Sequence, residues 1–310
     1  MASAAEQRYT LHGVAADLRD DGRARLDFRP LSLEVHLFPQ ASGSARAVAG
    51  AAEVLVGVTA ELAAPPADAP DMGQVLLSID CGPAASAARL PEYAAAADER
   101  LLWLEEALRA LFSRESIPEA LRTLCIARGT QCWVLRVHAQ LLRLDGCPLD
   151  LISLAAAAAL AATRVPRVSG GGADELGGGK RQRAAGGGKQ DLDLDESLDE
   201  SVPFDCSTLP LYVTLANIGG YAVADATAHE RRAAGSTLSL ALSPAGRVCA
   251  LRGGGGFGLH LQLAGEMMQL ASQLCAQLHA DAKDAIAQAL ADAEGRRWPA
   301  GEGTAPGFLA

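Results

Sequence analysis

The stretch LRLDGCPLDLISLAAAAALAATRVP, residues 142–166, constrains this 310-residue chain more than any other. A glycine turn leads into a long, apolar, alanine-rich helix, read over 148–163. The alanines let that helix pack close to a sheet. Its longest largely apolar run, 151–162, is too short for a bilayer, which takes roughly 20 residues, so no membrane partner is expected. Folds that bind phosphate often seat the anion at such a turn, on free N–H groups of the first helical turn. Whether this turn can do so is decided by its residues.

Pro148 suits the first helical position, where its missing N–H costs nothing. Cys147 is then the N-cap and a poor capping residue. Asp150 falls in the first turn, where a carboxylate at the positive helix end is worth roughly 0.3–1 kcal/mol. It occupies the field that a phosphate would want. Proline removes a donor, aspartate adds like charge, and Cys147, Pro148 and Leu149 supply no Ser, Thr or Arg to coordinate an anion. The helix start reads as a poor phosphate site.

Around this helix the pattern repeats a β-then-α unit twice. A helical lead-in covers 1–20. Strands are read at 31–38, 43–50, 52–62 and 73–81, then a helix at 91–113. In that helix Leu101, Leu104, Leu108, Leu111 and Phe112 recur at helical spacing. Residues 124–146 read as two strands joined by ARGT, with Trp133, Leu135 and Val137 on one face and Val134, Arg136 and His138 on the other. After the central helix, residues 169–200 turn glycine-rich, then basic (KRQR, 180–183), then acidic. Such a segment buries too little apolar surface to offset its ordering entropy, and a flexible insertion is expected. Strands follow at 211–216, 221–225, 236–242 and 248–251, with SPAG (243–246) as a hairpin turn. A final helix spans 259–293. The divisions are 1–168 and 202–295 as two halves of one domain, 169–201 as the insertion, and 296–310 as an irregular tail.

Composition narrows the function. Aromatic residues are 4%, so the core is built from Leu, Val and Ala. A net charge of −10 does not suit a protein that grips nucleic acid alone, so RNA contact needs a local basic patch or partner subunits. The seven cysteines form no CxxC pair and no zinc-finger spacing, and they read as reduced thiols. No GxSxG elbow, Walker loop or HExxH occurs, and GGGGFG (253–258) lacks the lysine and spacing of a phosphate loop. Neither a metal nor another cofactor is expected. Asp225 and Glu230 flank ATAH as a carboxylate pair, but neighbouring loop carboxylates are commonplace, and no catalytic residue is assigned.

Seven segments in order, YTLHGVAADLRDDGR (9–23), GSAR (43–46), LVGVTAEL (55–62), TLCI (123–126), CWVLRV (132–137), LDLISLAAAAALAATRVPRV (149–168) and VADATAHE (223–230), resemble the RNase PH-like ring subunits of the RNA exosome. The likeness is to the type that in archaea is the inactive partner of the phosphorolytic subunit. It implies an α+β fold of two βαβ-like halves, similar to the second domain of ribosomal protein S5, with mixed sheets backed by helices. It also implies a hexameric ring capped by RNA-binding subunits, with RNA threading the channel to a separate catalytic subunit. Active relatives carry Gly-(Ser/Thr)-Arg at the turn where this chain has Cys147-Pro148-Leu149-Asp150. They also carry an acidic pair, of which Asp225 matches one member and strand 236–242 supplies no second.

By the same resemblance two residues are RNA-binding candidates. RALFSRES (109–116) keeps Arg114 of an RGIRES-like pair, while the earlier arginine falls on Leu111. Arg114 either faces RNA or is a solvated cation at a helix end. Arg46 of GSAR lines the channel or makes an interface ion pair. The expectation is a catalytically inert ring subunit of nucleus, nucleolus and cytoplasm, serving 3′-to-5′ RNA processing, rRNA maturation and decay. The alternative is a phosphorolytic 3′-to-5′ exoribonuclease acting through a composite site with a partner.

Overall fold

The computed structural model describes residues 3–82, 97–166, 168–169, 193–194, 201–256 and 258–296. Helix α1 (Ala4–Ala15) opens with a capping box in which Ser3 and Glu6 each accept the other's backbone N–H. The first sheet holds β1 (Leu31–Val35), β2 (Gly43–Ala49), β3 (Ala52–Ala63) and β4 (Gln74–Cys81). The chain then passes through α2 (Ala97–Arg109), a 3-10 turn at Ala110–Phe112 and α3 (Pro118–Thr123). It re-enters the sheet as β5 (Cys125–Ala127) and β6 (Gln131–Arg143). The spatial order is β1-β2-β3-β6-β4, with β5 on the end of β6. Only β4 and β6 run parallel, and the helical crossover between them is what a parallel pair requires.

The central helix α4 (Pro148–Ala161) buries eleven of its residues, which one sheet cannot do. It packs on β2 and β3 on one side and on the second sheet on the other. A helix apolar all round demands such double cover. Gly43 permits the close approach at one end, because a Cβ there would strike Thr163 Oγ1 and the Ala159 carbonyl oxygen. Two short ladders follow: β7 (Arg164–Val165) pairs with β10 (Val202–Pro203), and β8 (Val168–Ser169) pairs with β9 (Asp193–Leu194). The second sheet comprises β11 (Leu211–Ile218), β12 (Tyr221–Ala224), then after the single-turn helix α5 (Ala228–Arg231), β13 (Ser236–Leu242) and β14 (Val248–Gly254). Its order is β12-β11-β13-β14 and it is antiparallel throughout. Helix α6 (Leu261–Arg296) lies across β11, β13 and β1 and closes the core.

Several elements differ from the sequence reading. Strand β1 stops at Val35 rather than at 38, because His36 turns left-handed at φ +57° and Ser44 Oγ accepts from the Leu37 and Phe38 N–H groups. The expected helix over 91–113 gives way at Arg109 to the 3-10 turn, and its stretch 91–96 lies outside the described residues. Helix α3 was not anticipated; Pro118 at its first turn was the signal. Within the segment read as an insertion, Ser169 pairs with Asp193 in a ladder, while KRQR at 180–183 lies outside the described residues. Strand β12 ends at Ala224, and Asp225 leaves the strand at φ +43°.

Candidate functional site

The turn before α4 and the loop after β12 meet face to face. Gly146 has φ +74°, and a Cβ on it would strike the Ala226 carbonyl oxygen. The N-cap Cys147 makes no side-chain capping bond, and Pro148 follows at the first helical position, as the residues imply. Burial pushes the Cys147 thiol up to about 12, so it is a protonated core residue and no nucleophile. Asp145 Oδ1 accepts from the Ala228 N–H at 2.8 Å, and the Gly146 carbonyl accepts from Arg231 Nη1 at 2.5 Å. The groups at this turn are thus bonded to the opposite loop.

Three arginines of the segment after α1 close the rest. Arg29 donates to both Asp225 oxygens and to Asp145 Oδ2 at 2.6 Å. Arg23 reaches Asp225 Oδ2 at 3.2 Å. Arg19, fully buried, forks onto Glu230 at 2.7 and 2.6 Å and donates to the carbonyls of Ala224 and Asp225. Burial would raise the Glu230 carboxyl, but the Arg19 bonds and the Thr227 N–H outweigh it and hold it below its ordinary value. Asp225 and Glu230 are therefore both held by guanidinium groups. The clamp's arginines come from DLRDDGR and the residues just after it. Nothing local to that motif names their partners, which lie some two hundred residues away.

Asp150 stands in the first turn of α4, as the sequence implies. Its carboxylate also crosses to the second sheet, a contact the sequence does not show. It accepts from the Thr214 N–H at 2.9 Å and from Thr214 Oγ1 at 2.6 Å. Thr214 Oγ1 in turn lies 2.8 Å from Ser239 Oγ. Burial pushes the Asp150 carboxyl up to about 7, against the pull of the Thr214 bonds, with Asp225 pushing the same way and Arg231 opposing.

The two RNA-binding candidates sit on different elements. Arg114, in the turn after the 3-10 segment, pairs with Asp68 at 2.5 Å; the Arg114 side chain is about half exposed and that of Asp68 about two-thirds. Arg46, on β2, pairs with Glu53 at 2.6 Å and Glu34 at 3.2 Å, and Glu53 also takes Arg143 at 2.6 Å. Arg46 and Arg143 together hold the Glu53 carboxyl below its usual range. Among the described residues no group of three or more His, Cys, Asp and Glu is arranged to hold a metal.

Known proteins fall in line with this architecture. A family model described as 3' exoribonuclease family, domain 1, matches residues 27–166, and its domain 2 counterpart matches 208–273. The exosome complex component Rrp42 of Pyrococcus furiosus is 32% identical over 245 residues, 79% of this chain and 80% of that protein. Rrp42 of Methanosarcina mazei is 28% identical over 246 residues, again 79% and 80%. A chain of the Archaeoglobus fulgidus exosome with RNA bound to the active site superposes with a TM-score of 0.70 at 25% identity, covering 89% of this chain and 97% of that one. A chain of an archaeal exosome core gives 0.68 at 26% identity, covering 90% and 96%. The first sheet and α4 fall in the first matched segment, the second sheet in the other, and the chain belongs to the 3′ exoribonuclease (RNase PH) family.

Proposed function

We propose that this chain is a non-catalytic subunit of an exosome ring. It supports 3′-to-5′ RNA processing and degradation by binding neighbouring RNase PH-like subunits and RNA-binding cap subunits and by bordering the RNA path. The supporting observation is the closed turn in front of α4. Pro148 lacks a donor, Cys147 is buried and protonated, Asp150 is spent on Thr214, and the nearby arginines are spent on Asp225, Glu230 and Asp145. A phosphate entering there would meet occupied donors and buried carboxylates. The relatives named Rrp42 and the RNA-bound exosome chain supply the assembly half of the reading.

Arg114 is the side chain through which this reading most directly touches RNA. Its exposed pair with Asp68 is of a kind worth about 0–1 kcal/mol, so a phosphodiester can displace the aspartate at little cost. Arg46 must leave two carboxylates to do the same.

The test is native mass spectrometry of the tagged chain from its own cells, with phosphorolysis assays on the chain alone. A complex containing other RNase PH-like ring subunits that differ from this chain, and no phosphate-dependent release of nucleoside diphosphates, are expected. A homohexamer, or nucleoside diphosphates released by the chain alone, overturns the reading. Within the purified ring, Arg114→Glu lowers cross-linking of RNA to this subunit. Imaging of the tagged chain checks the expected nuclear, nucleolar and cytoplasmic distribution.

A further inference from the structure

The hairpin of β5 and β6 sets two thiols against each other. Cys125 and Cys132 are direct partners across the antiparallel ladder, and both are free. The adjoining bond runs from the Trp133 N–H to the Leu124 carbonyl at 2.8 Å, which makes 125 and 132 a non-hydrogen-bonded pair. Cα atoms of such pairs approach to about 4.5 Å, inside the roughly 4.4–6.8 Å over which disulfides form. Across the described strand ladders no other two cysteines are paired. Within the hairpin the Thr130 N–H bonds the Ala127 carbonyl, and from outside it the Pro70 carbonyl accepts from the Gly129 N–H.

We infer that Cys125 and Cys132 are a reversible cross-strand disulfide site, closed by exchange with a low-molecular-weight disulfide such as glutathione disulfide. Cys125 is half-buried and Cys132 fully buried, which sets the order of events. The Cys125 thiolate attacks one sulfur of glutathione disulfide, breaks its S–S bond and releases one glutathione thiolate. The Cys132 thiolate then attacks the Cys125 sulfur of the mixed disulfide and expels the second glutathione. The two protein thiols lose two protons and two electrons, and the oxidant leaves as two molecules of glutathione. Burial raises both thiols; Asp71 raises Cys125 further, Arg128 opposes it, and Cys125 itself raises Cys132, so the exchange is slow near neutrality and quickens as pH rises. The product ties down the hairpin whose tip contacts Pro70, in the loop that carries Asp68, the partner of Arg114. The inference stands on the hairpin alone and does not depend on the exosome reading.

The experiment treats the folded full chain with glutathione disulfide at mildly alkaline pH, blocks free thiols and maps peptides without reduction. A Cys125–Cys132 link two hydrogens lighter than the dithiol, lost with dithiothreitol, is expected. Cys132→Ser should instead hold a stable glutathione adduct on Cys125. A lasting adduct on Cys125 of the unaltered chain, a link seen only after unfolding in urea, or oxidation of Cys81 and Cys249 while this pair stays reduced would each overturn the inference.

Discussion

Arg29 grips the carboxylate of Asp225 from two directions, Nη2 to Oδ1 at 2.6 Å and Nε to Oδ2 at 2.8 Å, across 196 residues of chain. The Arg29 N–H donates to the same group at 2.9 Å. These bonds hold Asp225 at φ +43°, a backbone state that costs a non-glycine residue free energy by itself. Removing the carboxylate leaves a buried guanidinium short of its main partner. Asp225→Ala should lose about 3–5 kcal/mol, at the lower end because Arg29 keeps Asp145. Urea unfolding measures it, and a loss below about 1 kcal/mol would mean that the pair behaves like a surface contact.

The neighbouring Arg19–Glu230 pair sets an acid limit. The Glu230 carboxyl is held below its ordinary value, so the unfolded chain takes up its proton first as pH falls. The stabilisation is complete above the ordinary glutamate value, about 4.3, and is lost as pH drops through the folded value. In melting curves from neutral pH downward, Glu230→Gln should be less stable near neutrality and should lose less stability on acidification. Equal acid slopes in the two proteins would remove Glu230 as a source of acid sensitivity.

Asp150 works in the opposite sense. Its carboxyl is pushed up to about 7, so between the ordinary aspartate value near 4 and about 7 the folded chain holds a proton that the unfolded chain has released. Stability from this group therefore falls as pH rises through that window, by at most about 1.4 kcal/mol per pH unit. Asp150→Asn keeps an acceptor for the Thr214 N–H and can donate to Thr214 Oγ1. It should flatten the dependence and melt higher than the unaltered protein at pH about 8. Parallel pH profiles for the two proteins would show that Asp150 is charged throughout.

What was legible in the sequence follows from the range of the physics. The buried character of α4 showed in its own residues, since an apolar helix start with Pro148 and Cys147 is a local pattern. The alternation of Trp133, Leu135 and Val137 was local too, and these three side chains do face the core. The clamp was not legible, because nothing near Arg19 or Arg29 says that Glu230 and Asp225 will arrive two hundred residues later. Asp150 shows the boundary between the two. Its place in the first helical turn was read from spacing, but its bond to Thr214 depends on the second sheet covering α4. The pairing of Cys125 with Cys132 lay between these cases: the ARGT turn was recognised, and counting outward from it with the bulge near Ile126 gives the register.

Gly146 offers the cleanest test that the turn is held shut by the loop above it. Replacing it with alanine asks a side chain to accept φ +74°, which costs roughly 1–2 kcal/mol in the left-handed region. The new Cβ also strikes the Ala226 carbonyl oxygen and forces the 225–228 loop away, loosening the bonds from Ala228 to Asp145 and from Arg231 to Gly146. Gly220 is the control, at φ +90° with nothing within 4 Å of a built Cβ. Gly146→Ala should therefore destabilise the protein by at least about 1 kcal/mol more than Gly220→Ala. Because the backbone term is shared, the excess in a chemical unfolding comparison reports the close approach alone. Equal losses would mean that the loop yields freely to a side chain at Gly146 and does not hold the turn shut.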